Sequence, residues 1–138
     1  MNRSVLLDTV FIQALLNRRD QYHEQAKAIF PQVRRVARVW VTEAVLVEVG
    51  NACSTLDREA AAAFIRQCYR TENIRVVSVD TPLMRESLAL YAARPDKGWG
   101  LTDCISFVAM RRHSVEAAVT ADQHFVQAGF QILMSDEG

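Results

Sequence analysis

At 138 residues, the chain has the size of one domain, long enough to bury a sizeable core. Half of it is apolar and 23% is charged, which excludes a disordered chain; the apolar runs fall short of a membrane span, and no signal-peptide pattern opens the sequence. Sixteen basic and sixteen acidic residues cancel, so bulk charge does not announce a nucleic-acid binder, and charge placement has to carry that argument.

Taken in order, Ser4–Leu7 reads as a short buried strand that ends at Asp8. Thr9–Leu16 is helical, with Phe11, Ile12, Leu15 and Leu16 on one side, and Tyr22–Val36 is a second helix, with Ala26, Ile29 and Val33 inward. Val39–Val41 is the second strand, and Thr42 caps a helix from Glu43 to about Leu56. Asp57–Arg70 is another helix, followed by a β-branched strand at Ile74–Val79. Thr81-Pro82 starts a helix that runs to about Ala93, with proline at the first helical position. A polar loop with two glycines, Arg94–Gly100, leads to Gly-Leu-Thr-Asp-Cys-Ile-Ser-Phe. There Thr102 is the expected N-cap and Asp103 the first residue of an apolar helix ending near His113. Ala117–Thr120 is the fourth strand, Thr120-Ala121-Asp122-Gln123 resembles a capping box, and the short helix after it stops at Gly129. Gln131–Met134 is the last strand, followed by a polar tail. This alternation predicts one α/β domain with a parallel sheet covered on both faces.

Cys53, Cys68 and Cys104 are odd in number and lack C-x-x-C spacing, so neither a disulfide framework nor a zinc knuckle is suggested. They read as small apolar fillers in a reducing compartment, the cytoplasm.

In an open parallel sheet, ligands bind beyond the carboxyl ends of the strands, near the switch in strand order. Asp8 follows the first strand, Asp122 comes just after the fourth, and Asp103 opens the helix that leads to the fourth. If the first and fourth strands are neighbours, Asp8 and Asp122 meet. Glu48 lies on or beside the stripe Val45, Val49, Ala52 and Leu56, with no Lys or Arg at helical spacing to neutralise it. A buried unpaired carboxylate costs several kcal/mol unless it protonates, pairs or binds a cation, so Glu48 is expected to be functional and Glu43 a first-turn capping charge. Acids gathered in one place need protons or a divalent cation, and oxygen ligands suit Mg²⁺ or Mn²⁺. His23, His113 and His124 are scattered and read as surface histidines. No phosphate-binding glycine loop and no nucleophile elbow is present, so the chemistry leans on a metal.

Leu6-Leu7-Asp8-Thr9, Thr42 through Glu48, Leu101 through Phe107, and Thr120 through Phe125 resemble, in order and spacing, the motifs of PIN-domain nucleases, and most of all the VapC-type toxins of toxin–antitoxin pairs. The likeness covers essentially the whole chain, residues 1–138. It implies a three-layer α/β/α fold with a five-stranded parallel sheet, a Mg²⁺- or Mn²⁺-dependent endoribonuclease, a cognate antitoxin that blocks the site, and a homodimer. Carried over by position, the catalytic and metal-holding acids are Asp8, Glu48, Asp103 and Asp122, with Asp96 as an outer contributor. Val10 departs from the pattern, since relatives carry a polar residue there, so support for Asp8 falls to Thr9 or elsewhere; Thr9 and Thr102 are expected to order the acids from behind. The implied reaction is phosphodiester hydrolysis by water, leaving a 5′-phosphate and a 3′-hydroxyl.

Arg18-Arg19, Arg34-Arg35, Arg38 and Arg111-Arg112 are candidates to contact RNA phosphates, and Trp99 either stacks on a base or covers the core. Phe11–Leu16 and Ala26–Val33 carry enough apolar residues to offer a partner helix a groove. Three rivals share parts of this pattern. A phospho-acceptor receiver domain calls for paired acids after the first strand and a lysine near Met134, and both are missing. A catalytically silent PIN-like binding module is expected to have lost acids that are all present. A PIN-like RNA-processing nuclease outside any toxin–antitoxin pair would keep them.

Overall fold

The strands form where apolar residues run without a helical period. In the computed structural model, which describes residues 1–135, they are β1 (Ser4–Leu7), β2 (Arg38–Thr42), β3 (Ile74–Val77), β4 (Ala117–Val119) and β5 (Gln131–Ile132). They make one sheet in the order β3-β2-β1-β4-β5, parallel throughout, as the alternating pattern requires. The end of the expected polar tail lies outside the described residues.

Helices α1 (Thr9–Leu16), α2 (His23–Arg34), α3 (Glu43–Ala52) and α4 (Arg58–Arg70) connect β1 to β3, and α5 (Thr81–Ala93), α6 (Leu101–Arg112) and α7 (Gln123–Gln127) connect β3 to β5. The strand period of two sorts the core into two sides. Val5, Leu7, Val39, Val41, Ala117 and Val119 pack in one cluster with Phe11, Val45 and Val49. Leu6 and Ala118 pack on the other side with Phe107, Met110 and Phe125, and Trp40 borders them. The result is the expected three-layer α/β/α arrangement.

Several boundaries are shorter than the periodicity suggests. Helix α3 stops at Ala52 because Leu56 and Asp57 turn back to donate to the Cys53 carbonyl, and Asp57 then caps α4 by accepting from Ala60 N at 3.0 Å. Leu56 is 66% exposed, so the stripe expected to continue through it does not exist. Strand β3 ends where its partner does, at the Thr42–Val77 pair. Helix α6 begins two residues early, with Gly100 as N-cap in place of Thr102 and Asp103 in the third helical position. Gly129 does end α7: its φ of +97° lets Gly129 N–H reach the Val126 carbonyl and Phe130 N–H the Phe125 carbonyl.

Phe107 anchors α6 to the sheet. Its ring meets Trp99 and Phe125 edge-on, at centroid distances of 5.1 and 4.9 Å, and lies against Phe130 at 5.8 Å. Replacing it with alanine leaves a cavity beneath the helix that carries Asp103. Phe107→Ala is expected to lower unfolding free energy by about 3–5 kcal/mol, read from urea denaturation midpoints at constant slope.

Candidate metal centre

From β1 the chain builds β2 and β3 to one side, then returns to place β4 on the other. The switch in strand order therefore falls between β1 and β4. Their register pairs Leu6 with Ala118 and Leu7 with Val119, so Asp8 and Thr120 stand one step beyond the last paired positions. Both continue the alternation onto the face that α6 covers. There Thr120 Oγ1 donates to Asp8 Oδ2 at 2.7 Å, and both residues are buried.

Asp8 is 3% exposed. Its carboxyl is pushed up from 3.8 to about 7, chiefly because burial disfavours the charge; repulsion from Asp103 and Asp122 adds to this, and the Thr120 hydroxyl opposes it. Asp103 is held differently. From the third position of α6 its Oδ2 reaches back to accept from Gly100 N at 3.2 Å. Its carboxyl is also raised, by partial burial first and then by Asp122, against the Gly100 N–H and His124. Asp122 is the N-cap of α7: its Oδ1 accepts from His124 N at 2.9 Å, and its own N–H donates to Thr120 Oγ1 at 3.1 Å. Thr120 thus touches two of the acids at once.

The structure brings Asp8, Asp103 and Asp122 together as their positions suggest. It corrects the reasoning about Glu48. That side chain is exposed on α3, beside the buried stripe of Val45, Leu46 and Val49, so no burial penalty marks it out. Glu43 is the more enclosed of the two. It accepts from the Tyr69 hydroxyl at 2.6 Å and from Val79 N at 3.3 Å, tying α3 to α4 and to the segment after β3. It is a structural bridge and not merely a capping charge.

Sequence reasoning also missed two residues. The Thr120 hydroxyl supports Asp8, beside the Thr9 backbone N–H; the Thr9 hydroxyl itself is buried with no hydrogen-bond partner. Its one visible signal was its place at the end of the fourth strand. His124 is no surface histidine, because its Nδ1 lies 3.1 Å from Asp103 Oδ2 and 3.5 Å from Asp122 Oδ1. Its signal was the spacing of two residues from Asp122. Trp99 covers the core: it is 6% exposed and its indole N–H donates to Gln127 Oε1 at 3.0 Å. Asp96 is exposed and engaged by Arg94 at 3.0 and 3.1 Å. Arg34 ends α2 and Arg35 caps it, Arg38 opens β2, and Arg111 and Arg112 end the helix that leads into β4. These are the amino ends of the strands, opposite the acids, so those arginines stand away from Asp8, Asp103 and Asp122.

A divalent cation fits these residues. Among the described residues no Lys or Arg pairs with Asp8, Asp103 or Asp122, yet three carboxylates share one partly desolvated place. Asp103, Asp122 and His124 each offer a ligand atom within 4.8 Å of the others. Oxygen-rich sites of this kind take Mg²⁺ or Mn²⁺.

A family model for the PIN domain matches residues 5–131. Among solved structures, the chain is similar to Mycobacterium tuberculosis VapC20, a toxin that cleaves the sarcin–ricin loop, with TM-score 0.82 and 24% identity over 91% of this chain and 95% of that one. FitAcB from Neisseria gonorrhoeae gives TM-score 0.64 and 17% identity over 94% and 96%. DNA-bound VapBC from Salmonella typhimurium gives 0.57 and 18% over 94% and 96%. No curated protein matches by sequence.

The raised Asp8 carboxyl sets a pH dependence. Folding raises its pKa from 3.8 to about 7, so the metal-free native state holds a proton that the unfolded chain releases across that window. The Asp8 contribution to stability is therefore full below pH 3.8 and is lost as pH rises through about 7. Asp8→Asn removes this term. In metal-free protein it is expected to raise the melting temperature by roughly several degrees at pH 8 and by little at pH 4.5, measured by thermal melts in chelator.

Proposed function

The chain belongs to the PIN domain family, and from that membership we propose that it is a Mg²⁺- or Mn²⁺-dependent endoribonuclease, the toxin of a type II toxin–antitoxin pair. The observation that carries the reading is the convergence of Asp8, Asp103 and Asp122 at the strand switch, with a buried carboxylate fixed by Thr120 and, among the described residues, no Lys or Arg paired with any of the three. Glu48 completes the set in this proposal. It stands on α3, which follows β2 and packs against α6, and its exposure suits a ligand acting through water from the substrate side.

Bound there, a divalent ion lowers the pKa of water and polarises a phosphate oxygen. The chain supplies the rest. Thr120 fixes the Asp8 carboxylate and, through Asp122 N–H, the start of α7. The Gly100 N–H holds Asp103 facing the same place. Water attacks phosphorus, the bond to the 3′ oxygen breaks, and that oxygen takes up a proton, leaving a 5′-phosphate and a 3′-hydroxyl.

The antitoxin belongs to the same proposal. An apolar groove of about 760 Å³ runs between α2 and α4, lined by Phe30, Val33, Ala63, Phe64 and Ile74 among others. It has the shape for a partner helix. Of the two segments that the sequence offered for this, Phe11–Leu16 is largely core, whereas Ala26–Val33 supplies Phe30 and Val33 to the groove. A homodimer is proposed too, for which α5 presents an exposed stripe of Met84, Leu88 and Tyr91 at helical spacing. Among the described residues no helix is long and apolar enough to cross a membrane, and a cytoplasmic setting remains part of the proposal.

Purified protein is expected to cut RNA with Mn²⁺ or Mg²⁺, stop on chelation, and yield 5′-phosphate ends on sequencing. Asp103→Asn is expected to cut cleavage to below about one hundredth while keeping the wild-type circular dichroism spectrum. Full cleavage by a folded Asp103→Asn protein would remove the site assignment.

A further inference from the structure

His124 has a place in the centre that an all-carboxylate reading leaves out. Its backbone N–H is bound to Asp122 Oδ1 at 2.9 Å, which places the residue beside that carboxylate. Gly98 lies beyond the far ring nitrogen, where a Cβ would stand at an ordinary contact distance of 3.7 Å from Nε2. Nδ1 faces the acids, 3.1 Å from Asp103 Oδ2 and 3.5 Å from Asp122 Oδ1.

Those separations match a coordination shell. An octahedral ion with bonds of about 2.1 Å spaces neighbouring ligand atoms about 3 Å apart and opposite ones about 4.2 Å apart. Nδ1 stands 3.1 Å from Asp103 Oδ2 and 3.5 Å from Asp122 Oδ1, close to the spacing of neighbouring vertices, and the three residues together offer ligand atoms within 4.8 Å of one another. Resting on the metal-centre reading above, we propose that His124 Nδ1 is an inner ligand beside Asp103 and Asp122, and that it biases the site toward Mn²⁺ over Mg²⁺. The bias follows from ligand chemistry. Imidazole nitrogen is a good donor to first-row transition ions, whereas Mg²⁺ prefers oxygen and keeps its waters.

The test is spectroscopic and needs no turnover. Mn²⁺ is titrated into wild type, His124→Ala, His124→Gln and Asp103→Asn, and bound Mn²⁺ is examined by pulsed electron paramagnetic resonance for ¹⁴N coupling. Mg²⁺ affinity is measured by competition. Wild type is expected to show nitrogen coupling. Both His124 variants are expected to lose it and to weaken Mn²⁺ binding by about 10-fold or more, with Mg²⁺ binding nearly unchanged. Glutamine keeps a hydrogen bond to Asp103 but brings no imidazole, so its loss of preference separates ligation from positioning. Mn²⁺ that binds wild type and fails to bind Asp103→Asn, yet shows no nitrogen coupling, overturns the His124 assignment and leaves the carboxylate centre standing. Equal weakening of both ions in the His124 variants also overturns it. No Mn²⁺ binding to wild type overturns the centre itself.

Discussion

A hydroxyl at the end of β4 holds a carboxylate at the end of β1, and the rest of the site is arranged around that 2.7 Å contact. The contact exists because the two strands are parallel neighbours in a register that ends one residue short of both groups. It makes burial of Asp8 tolerable without neutralising it. A hydrogen bond to a charged acceptor is worth about 1.5–3 kcal/mol, less than full desolvation costs, so the group remains under pressure to bind a proton or a cation. Thr120 also accepts from Asp122 N, so the geometry of α7 is set by the same atom. The start of α7 and the first acid of the chain are therefore tied to one hydroxyl.

Most of the fold was legible because it depends on period. Continuous apolar runs between helical stripes gave the strands, and Thr81-Pro82 and Gly129 marked element ends by local chemistry that tertiary contacts did not override. The acids Asp8, Asp103 and Asp122 were legible because strand ends in a parallel sheet share one edge. Glu48 was chosen on an argument from burial that fails: the stripe was read through Ala52 and Leu56, which are exposed, whereas the buried line is Val45, Leu46, Val49 and Cys53 and leaves Glu48 outside it. Glu43 was read as a simple helix-end charge, but tertiary partners, Tyr69 and Val79, claim it. Thr120 and His124 were illegible for another reason. A threonine and a histidine have no periodic signature, and their partners are distant in sequence or set by a backbone turn.

Asp8, Asp103 and Asp122 are each held by a different device: a side-chain hydroxyl, a backbone N–H before a helix, and a capping turn. Such variety removes freedom from the carboxylates without using opposite charge, which would compete with any cation. His124 is the exception, since it alone brings a basic group to the acids, and it does so through a neutral-capable nitrogen. The cost of the site falls on the empty protein, whose stability is lowest where Asp8 is forced to ionise.

The zero net charge conceals an uneven placement of charge. At the amino ends of the strands Arg34, Arg35, Arg38, Arg111 and Arg112 stand among acids, Glu72 before β3, Glu116 before β4 and Glu86 paired with Arg112. At the carboxyl ends of the strands Asp8, Asp103 and Asp122 stand without a paired Lys or Arg among the described residues, so their field there repels other anions and draws dissolved cations toward that edge of the sheet.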